Sequence, residues 1–309
     1  MDLEVPGIMK RGNPFDEIYS AMNSDKNLPQ RLPYIIDIEL TNKCNLSCNF
    51  CSRQLMKRKQ GFMDDSTFRR ILSQIEEVKI PIRFIRWGEP FLHPKIITYA
   101  NNLTKRGIPL HITTNGLLLN GEICDKIVSC GIDSITFSMQ GLTKIDYQRE
   151  RNNEKYNLLR KNIKMLCKIR NKSENPFISV STTYTPTLDS DGIDFVYEKK
   201  FKDYWKKYVD NVEVGITNYA RLKDFKGSHI ICKEPWQKLS IDWDGNVSAC
   251  CGDYDRLLNI GNINDESLYD LWTSDILKSY RNLISKEKHQ SLTLCSKCYP
   301  AYGDVWKSG

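Results

Sequence analysis

With 309 residues, 40% of them hydrophobic and 27% charged, the chain has the composition of an ordinary globular protein, long enough for one barrel-sized domain and a smaller appendage. Its formal charge of +7 comes without the aromatic interleaving or sequence motif of a nucleic-acid binder. No apolar run approaches the ~20 residues that span a bilayer. Residues 1–10, with Asp2, Glu4 and Pro6, lack the apolar centre of a secretory signal, so a cytoplasmic protein is expected.

Residues 1–30 read as an extension ahead of the first strand. From there to about residue 217, strand-like and helix-like segments alternate. The strands expected are Tyr34–Leu40, Ile82–Arg86, Leu110–Thr113, Ser134–Ser138, Phe177–Thr183 and Val212–Ile216, short segments rich in Ile, Val, Phe and Thr and bounded by Gly, Pro or Asn. Between the first two, Phe68, Ile71, Leu72, Ile75 and Val78 keep the i, i+3, i+4, i+7 rhythm of a helix, with Asp64 or Asp65 as its cap. Ile96–Arg106, Glu122–Cys130, Leu158–Arg170 and Ile193–Tyr208 supply the remaining helices. Alternation of this kind predicts an α/β fold over residues 31–224, a partial barrel of six β-α repeats with helices covering a parallel sheet. Beyond residue 224, Trp236–Ile241 and Asn246–Ala249 flank Asp244-Gly245, a strong hairpin signal. Ser267–Arg281 then reads as one helix, and residues 225–309 are expected to form a small metal-bound domain.

Eleven cysteines in a chain without a secretory signal point to metal ligands rather than disulfides. Cys44, Cys48 and Cys51 form a C-x3-C-x2-C run just after the first strand. Three thiolates so spaced can hold three irons of a four-iron cluster and leave the fourth open, which is what a catalytic metal site needs. A zinc knuckle would require a fourth ligand nearby, and none lies within reach in sequence. The other motifs also fall at strand ends. Gly88-Glu89-Pro90 follows the second strand, Thr113-Thr114-Asn115-Gly116 the third, and Ser138 closes the fourth. Barrels carry their active sites there, on the βα loops.

With Leu40-Thr41-Asn42-Lys43 before it and Gly88-Glu89-Pro90 after it, the cysteine run resembles that of the radical S-adenosylmethionine (radical SAM) superfamily. The resemblance implies that Cys44, Cys48 and Cys51 hold a [4Fe-4S] cluster whose open iron binds S-adenosylmethionine. An external one-electron donor such as flavodoxin or ferredoxin reduces the cluster. Cleavage then leaves methionine and a 5′-deoxyadenosyl radical that abstracts hydrogen from substrate. The resemblance also places the methionyl ammonium at Gly88, Glu89 and Pro90, although Trp87 stands where the family commonly has glycine. It puts the cofactor's carboxylate and ribose near Thr114, Asn115 and Ser138, and adenine against Phe50. Each of these residues reads equally well as turn or core chemistry.

Cys232, Cys250, Cys295 and Cys298 form a second set, with intervals of 18, 45 and 3 residues. Together with Cys232-Lys233-Glu234-Pro235-Trp236 and Asp244-Gly245-Asn246-Val247, they resemble the shortened (twitch) form of the SPASM extension, which implies one auxiliary [4Fe-4S] cluster. Four-thiolate zinc is the alternative. The intervals resemble those of radical dehydrogenases that oxidise an aminocyclitol alcohol. The implied reaction is oxidation of a carbinol carbon to a ketone in a small molecule such as a sugar, an aminocyclitol or a nucleotide-linked compound, with the auxiliary cluster taking the second electron. Cys251, beside a presumed ligand, keeps a second outcome open: return of hydrogen to the opposite face, giving an epimer. Peptide maturation is a third, lowered by the roughly thirty residues before the barrel, too few for a peptide-recognition domain. A zinc-stabilised binding module without catalysis is a fourth.

The remaining candidates read as structural. Cys124, Cys130 and Cys167 fit small buried hydrophobes. His93, His111, His229 and His289 are scattered without metal-ligand spacing, and Arg149, Arg151 and Arg221 read as surface residues, or else as groups that contact substrate or help deprotonate its alcohol. Arg53, Lys57, Arg58 and Lys59 read as a solvated basic face, or else as an attractor of an anionic substrate.

Overall fold

The structure, a computed structural model, describes residues 12–24, 31–171, 173–184, 195–216 and 232–298. Its first half runs α1 (Asp16–Ser24), β1 (Ile35–Ile38), α2 (Asp65–Ile75), β2 (Ile82–Phe84), α3 (Ile96–Thr104), β3 (Leu110–Thr114), α4 (Gly121–Ser129) and β4 (Ser134–Ser138). The rest runs α5 (Lys144–Arg151), α6 (Tyr156–Arg170), β5 (Phe177–Tyr184), α7 (Phe195–Trp205), β6 (Asn211–Ile216), α8 (Glu234–Gln237), β7 (Lys238–Ile241), β8 (Asn246–Ser248), β9 (Asn259–Asn262), α9 (Leu268–Thr273) and α10 (Asp275–Ser285). No described helix is long and apolar enough to cross a membrane.

The expected strands are present as β1 to β6, followed by the hairpin β7–β8. Asp64 caps α2 as anticipated, its carboxylate accepting from the Thr67 N–H at 2.7 Å. Val78 corrects the expected rhythm: α2 ends at Ile75, Lys79 turns left-handed at φ 54°, and Val78 is left 53% exposed. The single helix expected over Ser267–Arg281 is two, because Ser274 adopts an extended ψ of 150° and its hydroxyl caps α10 through the Leu277 N–H. Helix α5 was not legible because it has no apolar stripe; a capping box between Thr143 and Asp146 starts it, and it buries only Tyr147 and Arg151.

The chain divides into two compact units. One comprises Met1–Tyr19, Cys44–Asn49 and Glu89–Thr217, the other Ser20–Lys43, Phe50–Gly88 and Asn218–Gly309. The first holds four parallel strands in the order β6-β5-β4-β3. Alternation along these strands sorts their side chains. Leu110, Ile112, Ile135, Phe137, Ile178 and Val180 are fully buried on one face. His111, Thr113, Thr136, Ser138 and Ser181 keep partial exposure on the other.

The second unit orders its strands β2-β1-β7-β8-β9, with β1 parallel to both β2 and β7 and antiparallel pairs beyond. Where β1 and β7 end, charges are buried together. Arg58 makes a bidentate pair with Glu39, both bonds at 2.6 Å, and approaches Asp242 at 3.5 Å. Arg86 and Arg256 also bond Asp242, at 3.1 and 3.0 Å. Burial outweighs these cations and pushes the Asp242 carboxyl up. The basic-face reading therefore fails for Arg58, whose side chain is 4% exposed, but holds for Lys57 and Lys59.

Removing one partner of a buried pair leaves an uncompensated charge, at a cost of about 3–5 kcal/mol. Arg58→Met should lower unfolding free energy in urea by that order, and Arg58→Met with Glu39→Leu should recover most of it. A single variant as stable as the parent would show that the pair does not hold this end of the sheet.

Candidate cofactor sites

The segment leading into the first cysteines is fixed by its own polar side chains. The Thr41 hydroxyl donates to the Gly61 carbonyl at 2.6 Å and accepts from the Lys43 N–H at 3.1 Å. Asn42, fully buried, donates to the Lys59 carbonyl at 2.8 Å and accepts from the Gly61 N–H at 3.0 Å. Gly88 lies against the same segment so closely that a Cβ there would stand 1.8 Å from the Thr41 oxygen and 2.9 Å from that of Lys43. Only glycine permits this approach. Just before it, the Trp87 indole donates to the Asp253 carbonyl at 3.0 Å, and Arg86 donates to the same oxygen at 2.7 Å and to the Cys250 carbonyl at 3.4 Å. Trp87, where a glycine was the family expectation, thus ties this motif to the loop carrying Cys250.

Glu89 is 2% exposed, and its carboxylate is fully engaged. One oxygen accepts from the Thr114 hydroxyl at 2.7 Å and the Phe91 N–H at 3.1 Å, the other from the Asn115 N–H at 2.7 Å. Burial pushes its carboxyl up against the pull of those donors and of the Arg151 charge. Glu89 and Thr114 therefore meet each other, joining two βα loops, and Pro90 opens the short 3₁₀ turn Pro90–Leu92 behind them. The Asn115 amide donates to Asn45 at 2.7 Å and toward the Cys44 sulfur at 3.9 Å.

Arg151 is the residue the sequence misassigned. Far from the surface, it is 5% exposed, and it donates to the Cys48 sulfur at 3.4 Å and to the hydroxyl and carbonyl oxygens of Ser138, the hydroxyl at 2.9 Å. Two N–H donors thus stand at the Cys44 and Cys48 sulfurs, the kind of hydrogen bonding to sulfur that iron–sulfur sites use. Cys48 is buried; Cys44, Phe50 and Cys51 are half-buried, and Cys51 precedes the 3₁₀ turn Ser52–Leu55. No sequence signal marks Arg151, because the helix that carries it has no apolar periodicity.

The second cysteine set converges. Cys232, Cys250, Cys295 and Cys298 line one cavity of about 40 Å³, walled by Pro235, Leu258, Ile284 and Leu294. Glu234 and His289 also face it, and His289 is a neighbour that sequence spacing missed. The Gly252 N–H donates to the Cys250 sulfur at 3.3 Å. Burial pushes the Cys232 thiol up to about 12, with the charges of Glu234, Cys298 and Cys295 adding to it. A thiolate is therefore costly there until a cation claims it, which fits a metal-cluster site. None of the eleven cysteines is in a disulfide, and among the described residues no three potential ligands stand at metal-bonding distance, so the fit rests on the shared cavity and the donors to sulfur. The Cys251 thiol hydrogen-bonds to that of Cys250, and this bond and burial hold it well above its ordinary range, with Glu234 and Lys238 nearby.

The other candidates are quickly placed. Cys124 and Cys167 are buried, their thiols pushed up to about 12, and Cys130 is half-buried. His93 is buried against Tyr99, and Arg149 is exposed. His229 and Arg221 lie outside the described residues.

Two outcomes follow for protein reconstituted anaerobically with iron and sulfide. Gly88→Ala should displace the Thr41–Lys43 backbone and abolish the spectral response to S-adenosylmethionine while leaving one cluster's worth of iron in place. Cys298→Ala should do the reverse, losing iron but still responding to S-adenosylmethionine. A Cys298→Ala variant that keeps all its iron or loses its response to S-adenosylmethionine, or a Gly88→Ala variant that still responds, would contradict two separate cofactor sites.

Residues 38–189 match the radical SAM superfamily, and residues 232–299 match the iron-sulfur cluster-binding SPASM domain. The tungsten-containing aldehyde ferredoxin oxidoreductase cofactor-modifying protein of Pyrococcus furiosus is 27% identical over 307 residues, covering 84% of this chain and 86% of that protein. The S-adenosyl-L-methionine-dependent 2-deoxy-scyllo-inosamine dehydrogenase of Niallia circulans is 22% identical over 274 residues, covering 85% and 92%. Among solved structures, BtrN in complex with AdoMet and 2-DOIA aligns with TM-score 0.60 at 18% identity over 87% of this chain and 93% of that one. Streptococcus suis SuiB bound to precursor peptide SuiA aligns with TM-score 0.67 at 14% identity over 91% and 74%. The α/β fold is accordingly that of the radical SAM partial barrel followed by a SPASM domain, with a [4Fe-4S] cluster, S-adenosylmethionine and an auxiliary iron–sulfur cluster as its cofactors. Two domain matches in this order, on this fold, make the chain a radical SAM superfamily enzyme with a C-terminal SPASM domain.

Proposed function

We propose that this enzyme oxidises a carbinol carbon of a sugar or aminocyclitol to a ketone. The observation that carries the reading is the auxiliary cavity, lined by four cysteines. Four thiolates complete the coordination of a four-iron cluster, leaving no iron for substrate and suiting the cluster to electron transfer. The Niallia circulans relative is a dehydrogenase of an aminocyclitol, which supports the same substrate class.

In this reading Cys44, Cys48 and Cys51 hold the radical cluster and Cys232, Cys250, Cys295 and Cys298 the auxiliary one; when bound, with S-adenosylmethionine, these groups supply a 5′-deoxyadenosyl radical and an electron acceptor. The protein's own work is positioning. Gly88 lets the backbone of its motif meet the Thr41–Lys43 segment, and Glu89 locks Thr114 and Asn115 in register. Arg151 holds a buried positive charge between Cys48 and Ser138, where a carboxylate of the cofactor would find it. Phe50 offers a half-buried ring for adenine. A small acidic redox protein of the flavodoxin or ferredoxin class supplies the first electron. The domain limits we assign are 31–224 for the barrel and 225–309 for the auxiliary domain.

A second reading is epimerisation, favoured by the free Cys251 thiol beside the auxiliary cavity. A substrate panel deuterated at carbinol carbons separates the two. Oxidation predicts deuterium in 5′-deoxyadenosine, one ketone per cleavage event and continued turnover by Cys251→Ala. Epimerisation predicts a stalled Cys251→Ala variant and no ketone. Cleavage of S-adenosylmethionine stimulated by a peptide, and by no polyol, would sink both.

A further inference from the structure

In the unit built on β3 to β6, strand register decides which side chains stand together. Ser138 on β4 pairs with Ser181 on β5, and Ser181 pairs with Glu213 on β6. Directly paired residues point to the same face, so these three form one row across the sheet. Arg151 donates to the Ser138 hydroxyl oxygen at 2.9 Å. The row therefore runs from a guanidinium through two hydroxyls to a carboxylate. At about 4.8 Å per strand, the backbone of Glu213 lies about 10 Å from that of Ser138. That is roughly the reach of one six-membered polyol ring with its substituents.

The rest of this face has matching chemistry. The His111 ring bonds the hydroxyls of Ser134 and Thr113 at 2.7 and 3.0 Å, and the Phe15 ring meets His111 edge-on at 5.7 Å, covering the face toward its strand starts. Hydroxyls both donate and accept, so they can serve the several hydroxyls of a polyol. Glu213 differs from the other side chains in the row. Among the described residues its one donor is Asn211, 3.1 Å from Oε1, which leaves its second oxygen available to a ligand. The side chain keeps solvent access, yet the protein around it and the nearby Asp16 carboxylate hold its carboxyl above the usual range. A crowded carboxylate next to a second one is relieved by a cation.

We propose that Glu213 is a specificity-determining residue that receives the ammonium group of a polyhydroxylated amine lying along the Ser138–Ser181–Glu213 row. The inference rests on the reading above that the substrate is a small polyol, and it adds which polyols the enzyme prefers. Charge-assisted hydrogen bonds are stronger than neutral ones, enough for about a tenfold preference for an amine over the matching alcohol.

The test is a calorimetric titration of the full reconstituted protein with S-adenosylmethionine bound, using glucosamine and glucose as probes near neutral pH. Parent protein should bind glucosamine about tenfold more tightly. Glu213→Gln should bring glucosamine down to the level of glucose and leave glucose unchanged, and Glu213→Asp should retain part of the preference. Iron content and thermal midpoint, measured alongside, confirm that both variants fold. A Glu213→Gln variant that keeps the preference, or a parent that shows none, overturns the inference. Ketone formation is scored separately: alcohol oxidation with no role for Glu213 in binding defeats this inference alone, and Glu213-dependent amine binding without ketone defeats only the oxidation reading.

Discussion

Much of the second unit depends on the buried ion cluster formed by Glu39, Arg58, Asp242, Arg86 and Arg256. Parallel strands β1, β2 and β7 all end on the same side, and each end brings polar backbone and charged side chains to one place. Putting so much charge out of water is costly, and it is stable only because nearly every oxygen and guanidinium finds a partner. The result is rigidity where the chain needs it. Arg58 continues into the backbone N–H groups of Lys57 and Arg58 that bond Asp255, at 2.8 and 2.9 Å. Arg86 reaches the carbonyls of Cys250 and Asp253. Loops that carry cysteines are thereby held by charges that have no other place to go.

Asp253 shows how such a loop is shaped from within. Fully buried, it accepts from the N–H groups of Asp255, Leu257 and Leu258 and from the Ser248 hydroxyl. One carboxylate organises the turn after Cys250, and the turn presents its carbonyl to Arg86 and Trp87. The two cofactor environments differ in kind. Cys44 and Cys48 receive side-chain amide and guanidinium donors, whereas the auxiliary cavity is walled largely by Pro, Leu and Ile, with backbone N–H donors to Cys250 and Cys232. Hydrogen bonding to sulfur and local polarity are the levers that set iron–sulfur potentials, so the protein has the means to hold its two clusters at different potentials.

The cysteine spacing, the strand positions and the hairpin were all legible because each depends on short-range rules: ligand geometry, a period of two, and the left-handed turn that Gly245 takes at φ 86°. Helix α5 escaped because its stability comes from a capping box and from burying Tyr147 and Arg151, neither of which leaves a hydrophobic rhythm. The break at Ser274 escaped because a lone serine is tolerated inside a helical pattern, although it favours the cap it takes here.

From residue order alone came the cofactor class, the α/β repeat and both cysteine sets, since thiol spacing and strand periodicity are local properties of the chain. Tertiary structure alone decided that Arg58 and Arg151 are buried rather than solvated, that His289 faces the auxiliary cysteines, and that Glu89 is spent on Thr114 and Asn115. Those outcomes turn on which distant segments share a dry interior, where a charge must find a partner, and no local pattern encodes that meeting.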